Sequence, residues 1–430
     1  MAKRGRATIT ICSTEFTTLG RAQAKALGFP DLPIAVVPHP FGLRTRDEIR
    51  ELAAQCVKDI VRLASEPVTT RAVSGQTGSA PSTGRAARIE IPDDLDGFHR
   101  LCRERRWSDG LPVVPPTVER VERMLHTTRV APDAVIAAVA PGFGVATVER
   151  IAINAVLAGC DPEHLPVLIS AVEAVTAPEF NLQGIQATTN PVAVWLIVNG
   201  PIAKRLGMNS GINCLGPGAW ANATLGRALH LILQNIGGAL PGEMDRATQG
   251  QPGKYTFCCT ENEERNPWEP LHVERGFARE RSAVTVVGVS GTLNMNTHSK
   301  DAVELLRVIA ETMPHPPSND YRWGGEPWIM LAPEHAEVLQ RGGMSKAEVK
   351  RGLWEQTKMA ASRMAARDFE WVQNSRRAEL GEVGPDTLLP IAPAPERIGI
   401  IVAGGPGTHS VYIPGFGNSR SVTREVTGPA

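Results

Sequence analysis

Short apolar runs recur along this chain. Each is closed by a glycine or proline loop, and most lead into an amphipathic stretch, which fixes the class of fold. ATITICS (7–13), VAVWLIVNG (192–200), SAVTVVGVSG (282–291), EPWIMLAP (326–333) and RIGIIVAGG (397–405) are rich in β-branched residues and too short for helices. The stretches that follow, such as THSKDAVELLRVIAETM, carry the 3.6-residue period instead. Strands alternating with helices give an α/β fold with mixed strands, α+β being the alternative.

Three regions are expected. In residues 1–66, ATITICS leads into a helix over TEFTTLGRAQAKALG, and LPIAVVPHP is a second buried strand. Thr45 and Glu48 then form a capping box. Ile49, Leu52, Ala53, Cys56, Ile60 and Leu63 fall on one face of the helix it starts. Strand, helix, strand, helix is a small α/β unit with a parallel pair, but it is short of strands. It is truncated, or another element completes its sheet. Residues 67–90 are rich in Ser, Thr, Gly, Pro and Arg without periodicity, which predicts a flexible linker. Residues 91–430 form the large mixed domain, where VIAAVAPGFGVATVERIAINAVLAGC is expected as strand, glycine loop and helix.

Composition excludes several functions. Lys+Arg and Asp+Glu both number 45, so no net charge favours nucleic acid or an anionic membrane. No apolar run approaches the ~20 residues of a membrane span, and the basic start lacks a signal peptide's apolar core. The 7 cysteines show no CxxC spacing, which points to free thiols in the cytoplasm and to no metal site. GxSxG, Walker A and HExxH are absent, and GPGAWA (216–221) matches a dinucleotide turn only loosely. The sequence names no cofactor.

The densest polar, glycine-rich run spans Gly207 to Trp268 and is the expected site. In it, Asn209, Ser210 and Asn213 would hold a small substrate by neutral hydrogen bonds. Arg227 or Lys254 would pair an anionic group. Glu261 and Glu263, close together on a short strand, would move protons. The helix starting near Asn222 would turn its first amides toward the ligand, and His409, on a loop after a strand, would assist. Against these stand plainer readings: a solvated lysine on a turn, an acidic surface loop, a satisfied structural histidine. Cys12 precedes a helix N-terminus, which lowers a thiol pKa, yet its neighbours Ile9, Ile11 and Phe16 make an inert core thiol.

ICSTEFTTLGRAQAKALGFPDLPIAVVPHPFG resembles the later part of the small α/β domain of the UGSC family, a group of cysteine or selenocysteine proteins. WSDGLPVVPPT, NGPIAKRLGMNSG, LGPGAWANATLGRA, DRATQGQPGK, CTENEERNPWEPL and GGPGTHSVYIP resemble the long proteins that carry it, so the similarity runs from about residue 8 to residue 424. The family's tetrad, selenocysteine or cysteine followed by Gly-Ser-Cys, is absent here. The resemblance would place it ahead of ATITIC, before Met1, and Cys12 does not correspond to it. It implies a redox step supplied by a separate small UGSC-type subunit, unless the tetrad was lost or lies upstream of a misassigned start. The expectation is an oligomeric enzyme, or the large subunit of one, acting on a small polar or anionic molecule, with thiol- or selenol-linked, reductive chemistry. A thiol-independent lyase or hydrolase using carboxylates and a non-catalytic binding or scaffold subunit are the competing readings.

Overall fold

The computed structural model describes residues 6–65, 84–316 and 318–427. Strands Thr10–Ser13 (β1) and Ile34–Val37 (β2) pair in parallel, joined through helix Thr17–Ala26 (α1). Helix Arg46–Ser65 (α2) follows, started by the expected box: Thr45 N donates to Glu48 Oε2 at 2.7 Å and Glu48 N to Thr45 Oγ1 at 3.3 Å. With two strands the unit cannot cover its own apolar surface. Ile11 stays 54% exposed, beside an apolar cleft of about 500 Å³ lined by Ile11, Val37, Phe41, Leu52 and Ile60.

Residues 67–83 of the expected linker lie outside the described residues. Its last part is anchored: Arg85 Nε and Ala86 N donate to the buried Glu149 carboxylate at 2.7 and 2.6 Å. A buried carboxylate needs such donors, and they fix the chain.

Helices Leu95–Glu104 (α3) and Val118–Leu125 (α4) are capped by the side chains of Asp94 and Thr117, which accept from Gly97 N and Arg120 N. Residues 135–160 differ from expectation. Val135–Val139 (β3) and Gly144–Thr147 (β4) form an antiparallel hairpin before helix Val148–Ala158 (α5). Phe143 at φ +56° turns the chain back, and Thr147 caps α5 through Arg150 N. A two-residue period too short to read separately from the helix hid β4.

Helices Leu165–Val175 (α6) and Leu182–Ala187 (α7) lead to strand Ala193–Asn199 (β5). Then come helices Pro201–Arg205 (α8) and Trp220–Asn235 (α9), strand Cys258–Thr260 (β6), helix Leu271–Glu274 (α10) and strands Ala283–Val289 (β7) and Leu293–Asn296 (β8). Helix Ala302–Thr312 (α11), strand Trp328–Leu331 (β9) and helices Pro333–Arg341 (α12) and Lys346–Gln356 (α13) follow. Strands Gly399–Val402 (β10), His409–Ile413 (β11) and Val422–Glu425 (β12) complete the frame.

Two four-stranded mixed sheets result. One has the order β12–β7–β5–β6, with β5 and β6 parallel; the other β10–β9–β11–β8, with β10 and β9 parallel. The side chains of each central strand alternate between two cores. From β5, Val194, Leu196 and Val198 pack under α5, α6 and α9, while Ala193, Trp195 and Ile197 face the second sheet. That sheet answers with Trp328, Met330 and Ile401, the rings of Trp195 and Trp328 meeting edge-on at 5.7 Å. Its other face, with Ile329, Leu331 and Ile400, lies under α11, α12 and α13. The large region is therefore four layers, helices–sheet–sheet–helices, in an α/β protein.

Candidate functional site

Helix α9 presses closely on the chain entering β6. A Cβ on Gly226 would come within 2.4 Å of Thr256 Oγ1 and 2.9 Å of Phe257 N, and Thr256 Oγ1 donates to Ala223 O at 2.9 Å. This approach carries the polar residues Arg227, His230 and Gln234, spaced for one helical face, over the loop of residues 239–255. Between helix and loop lies a cavity of about 570 Å³ whose wall includes Asp109, Gln186, His230, Gln234, Asp245 and Lys254.

The charges in this wall are internally paired. Lys254 Nζ lies 2.5 Å from Asp245 Oδ2. Arg227 grips Asp109 bidentately through Nε and Nη2, both at 2.8 Å. His230 differs: its Nε2 is buried without a hydrogen-bond partner. Burial, then the Lys254 charge, pushes the ring's pKa down to about 4, against a backbone bond with Val194 and the charges of Asp109 and Asp245. The backbone at Val194 opposes this shift, and Nε2 is a ring nitrogen left without a protein partner. A neutral imidazole accepts at one ring nitrogen and donates at the other, so the unpartnered Nε2 is free to bond a ligand's O–H or N–H. An unpaired acceptor beside a lysine ammonium can take a proton from a ligand while the cation stabilises the charge left behind.

Of the residues expected at the site, Lys254 lines this cavity and Arg227 holds its wall. The others lie elsewhere. Asn222 Nδ2 donates to Asn209 O and Cys214 O at 2.8 and 3.0 Å, and its Oδ1 accepts from Asn209 N at 3.0 Å. Asn209 bonds Gly211 N and Ile212 O, and Asn213, at φ +63°, donates to Pro217 O at 2.8 Å. These amides satisfy backbone groups that an irregular loop leaves unpaired, which is a folding task. Ser210 meets the second sheet, its carbonyl accepting from Gly404 N at 2.8 Å. His409 pairs with Asn294 Oδ1 at 3.1 Å on the exposed edge of β11.

Glu261 is 3% exposed and accepts from Asn199 Nδ2, Leu271 N and Asn266 Nδ2, all at 2.8 Å, and from Val402 N at 3.4 Å. Burial raises its pKa against Lys346 and those donors. Glu263 accepts from Gly200 N at 2.7 Å and Asn199 Nδ2 at 3.1 Å. The two carboxylates thus share Asn199, but from the loop after Thr260 rather than from one face of the strand as expected, and they do not face Lys254. Val194 is at the cavity and Asn199 at the carboxylates, five residues apart on an extended strand, roughly 17 Å. Lys254 precedes β6 and the glutamates follow it, so the strand itself holds them apart.

The cysteines form no disulfide. Burial raises the pKa of Cys12, Cys102, Cys214, Cys258 and Cys259, and lifts Cys160 to about 12. For Cys12 this is the inert outcome: burial outweighs the lowering charge of Arg21. Among the described residues no group of three or more His, Cys, Asp or Glu is arranged to hold a metal, and no helix is long and apolar enough to cross a membrane.

The family model of the UGSC family matches residues 1–66. The chain carries a UGSC family unit. No curated protein and no solved structure matches the chain. The parallel β1–β2 pair with α1 and α2 is thus the UGSC unit, and the cavity under α9 lies in the four-layered region that follows it.

Proposed function

We propose that the chain is an enzyme, or the large subunit of one, acting on a small polar molecule by acid–base chemistry in the His230 cavity. The observation that carries this reading is the buried, unpartnered Nε2 of His230. Leaving a buried polar atom unpaired costs roughly 1–3 kcal/mol, which a ligand's O–H or N–H would recover. In this reading His230 Nε2 accepts a proton from the ligand. Lys254 stabilises the negative charge that develops, and Asp245 and the Arg227–Asp109 pair hold the wall in place. The reaction class is lyase or hydrolase, with the basic role on histidine rather than on Glu261.

A second reading keeps thiol or selenol chemistry. Raised pKa values leave the cysteines with resolved shifts as thiols, so a reactive group would come from a separate small UGSC-type subunit. The incomplete two-stranded sheet and its apolar cleft support such a partner. Free cysteines support a reducing, cytoplasmic setting, and the exposed Ile212 and Trp220 support an oligomer.

The test uses the molecule that comes with the native protein. Small molecules released by heat from freshly purified protein are identified by mass spectrometry and compared across variants. His230→Gln and Lys254→Ala are expected to carry at least ten-fold less of one compound, about 1.4 kcal/mol of lost affinity. Equal loading of wild type and both variants would refute the assignment.

A further inference from the structure

Among the described residues, three of the contacts between the UGSC unit and the large region adjoin the wall of the His230 cavity. Arg246, next to Asp245, reaches Glu15 Oε2 at 3.5 Å and lies over the Phe16 ring, its Cζ 5.7 Å from the centroid. Gln23 Nε2 donates to Pro141 O at 3.2 Å, and Gly142 N donates in turn to Gly237 O at 2.7 Å, just ahead of the lining residue Ala239. Gln183 Nε2 donates to Gln23 Oε1 at 2.9 Å, one residue short of a helical turn before the lining residue Gln186. Arg246 also braces its own loop: Nη1 donates to Gly242 O at 2.8 Å, and Gly242 N donates to Asp245 O at 3.1 Å.

We infer that the UGSC unit forms an outer support of the His230 cavity, and that Arg246 is the positioning residue through which it sets the Asp245–Lys254 pair. The functional meaning of this rests on the reading of the cavity as the substrate site, although the coupling itself does not. Arg246 is the hinge of the arrangement because one guanidinium is bonded both to the UGSC unit and to the turn that carries Asp245. Glu15 and Phe16 sit directly after β1, at the strand end where open α/β sheets meet ligands. His39 is at the same end, its Nδ1 3.2 Å from Ser13 Oγ and its ring 5.8 Å from that of Phe16. Anything that docks at this end, a partner subunit included, acts one residue away from the Arg246 contact. The unit also meets the helix Ala366–Ser375 through Arg46 and Glu370, an exposed pair at 3.6 Å that is away from the cavity wall and serves as a control.

The experiment is acetylation of the full chain by N-hydroxysuccinimidyl acetate, with the rate at Lys254 read by peptide mass spectrometry. It needs neither substrate nor turnover. Glu15→Ala and Arg246→Ala are expected to raise the Lys254 rate roughly two- to five-fold, the range of a partly exposed ion pair. Glu15→Ala/Arg246→Ala should react no faster than Arg246→Ala alone. Arg46→Ala should react like wild type. Thermal melts establish that each variant is folded, and if Arg246→Ala is not, Glu15→Ala and Phe16→Ala carry the test. Wild-type rates in folded Glu15→Ala and Phe16→Ala, or an equal rise in Arg46→Ala, would overturn the inference. If the rates change but ligand loading is unaffected by Lys254→Ala, the coupling stands and the substrate-site reading falls.

Discussion

His230 ties the cavity's acidity to the stability of the fold. Its pKa is about 4 in the folded chain, against about 6.5 for a free histidine. The unfolded chain therefore binds more protons between these values. The histidine's contribution is fully present above pH 6.5 and is lost as pH falls through about 4. The loss is up to about 3 kcal/mol for a shift of this size. Denaturant titrations at pH 7 and pH 4.5 should show a smaller acid loss in His230→Gln than in wild type, and an identical loss would show the ring is not buried as described. This residue was within reach of the sequence. Arg227, His230 and Gln234 are polar intrusions at helical spacing in ALHLILQN and its lead-in. What the sequence could not show is that Asp109 and Asp245, remote along the chain, would neutralise Arg227 and Lys254 and leave the histidine as the unpaired group.

At the scale of elements, one strand decides which polar residues meet. The runs that form β5, β7, β9 and β10 were legible because buried strands are continuous apolar runs, β1 and β2 were legible from the same kind of run although Ile11 stays exposed, and the capping box of α2 was legible because caps are local. The relation between Lys254 and Glu261 was not, since it depends on β6 pairing in parallel with β5 and separating them. Glu261 instead joins four elements: Asn199 ends β5, Leu271 starts α10, Val402 ends β10, and Glu261 itself follows β6. Glu261→Gln turns an amide donor toward groups that already donate. It should destabilise the fold by roughly 2–4 kcal/mol, read as a lowered denaturant midpoint. A normal midpoint with abolished turnover would instead restore Glu261 as a catalytic group.

At the scale of the whole molecule, two sheets share a dry core around Trp195 and Trp328, and the polar chemistry is displaced to the ends and flanks of that core. The long polar run from Gly207 to Trp268 is thereby divided. Its asparagines fold a loop, its glutamates lock the strand ends, and its middle, with α9, builds the cavity against which the UGSC unit rests. Glycine-rich polar composition marks irregular backbone that must be satisfied as readily as it marks a ligand site, so composition alone could not separate these tasks. The most direct measurement is a crystal structure of the native protein with its co-purifying small molecule, or with one found by soaking. Ligand density is expected between α9 and residues 239–255, within hydrogen-bond reach of His230 Nε2 and Lys254 Nζ. Density among residues 209–213 and 404–409, with the His230 cavity holding only solvent, would contradict it.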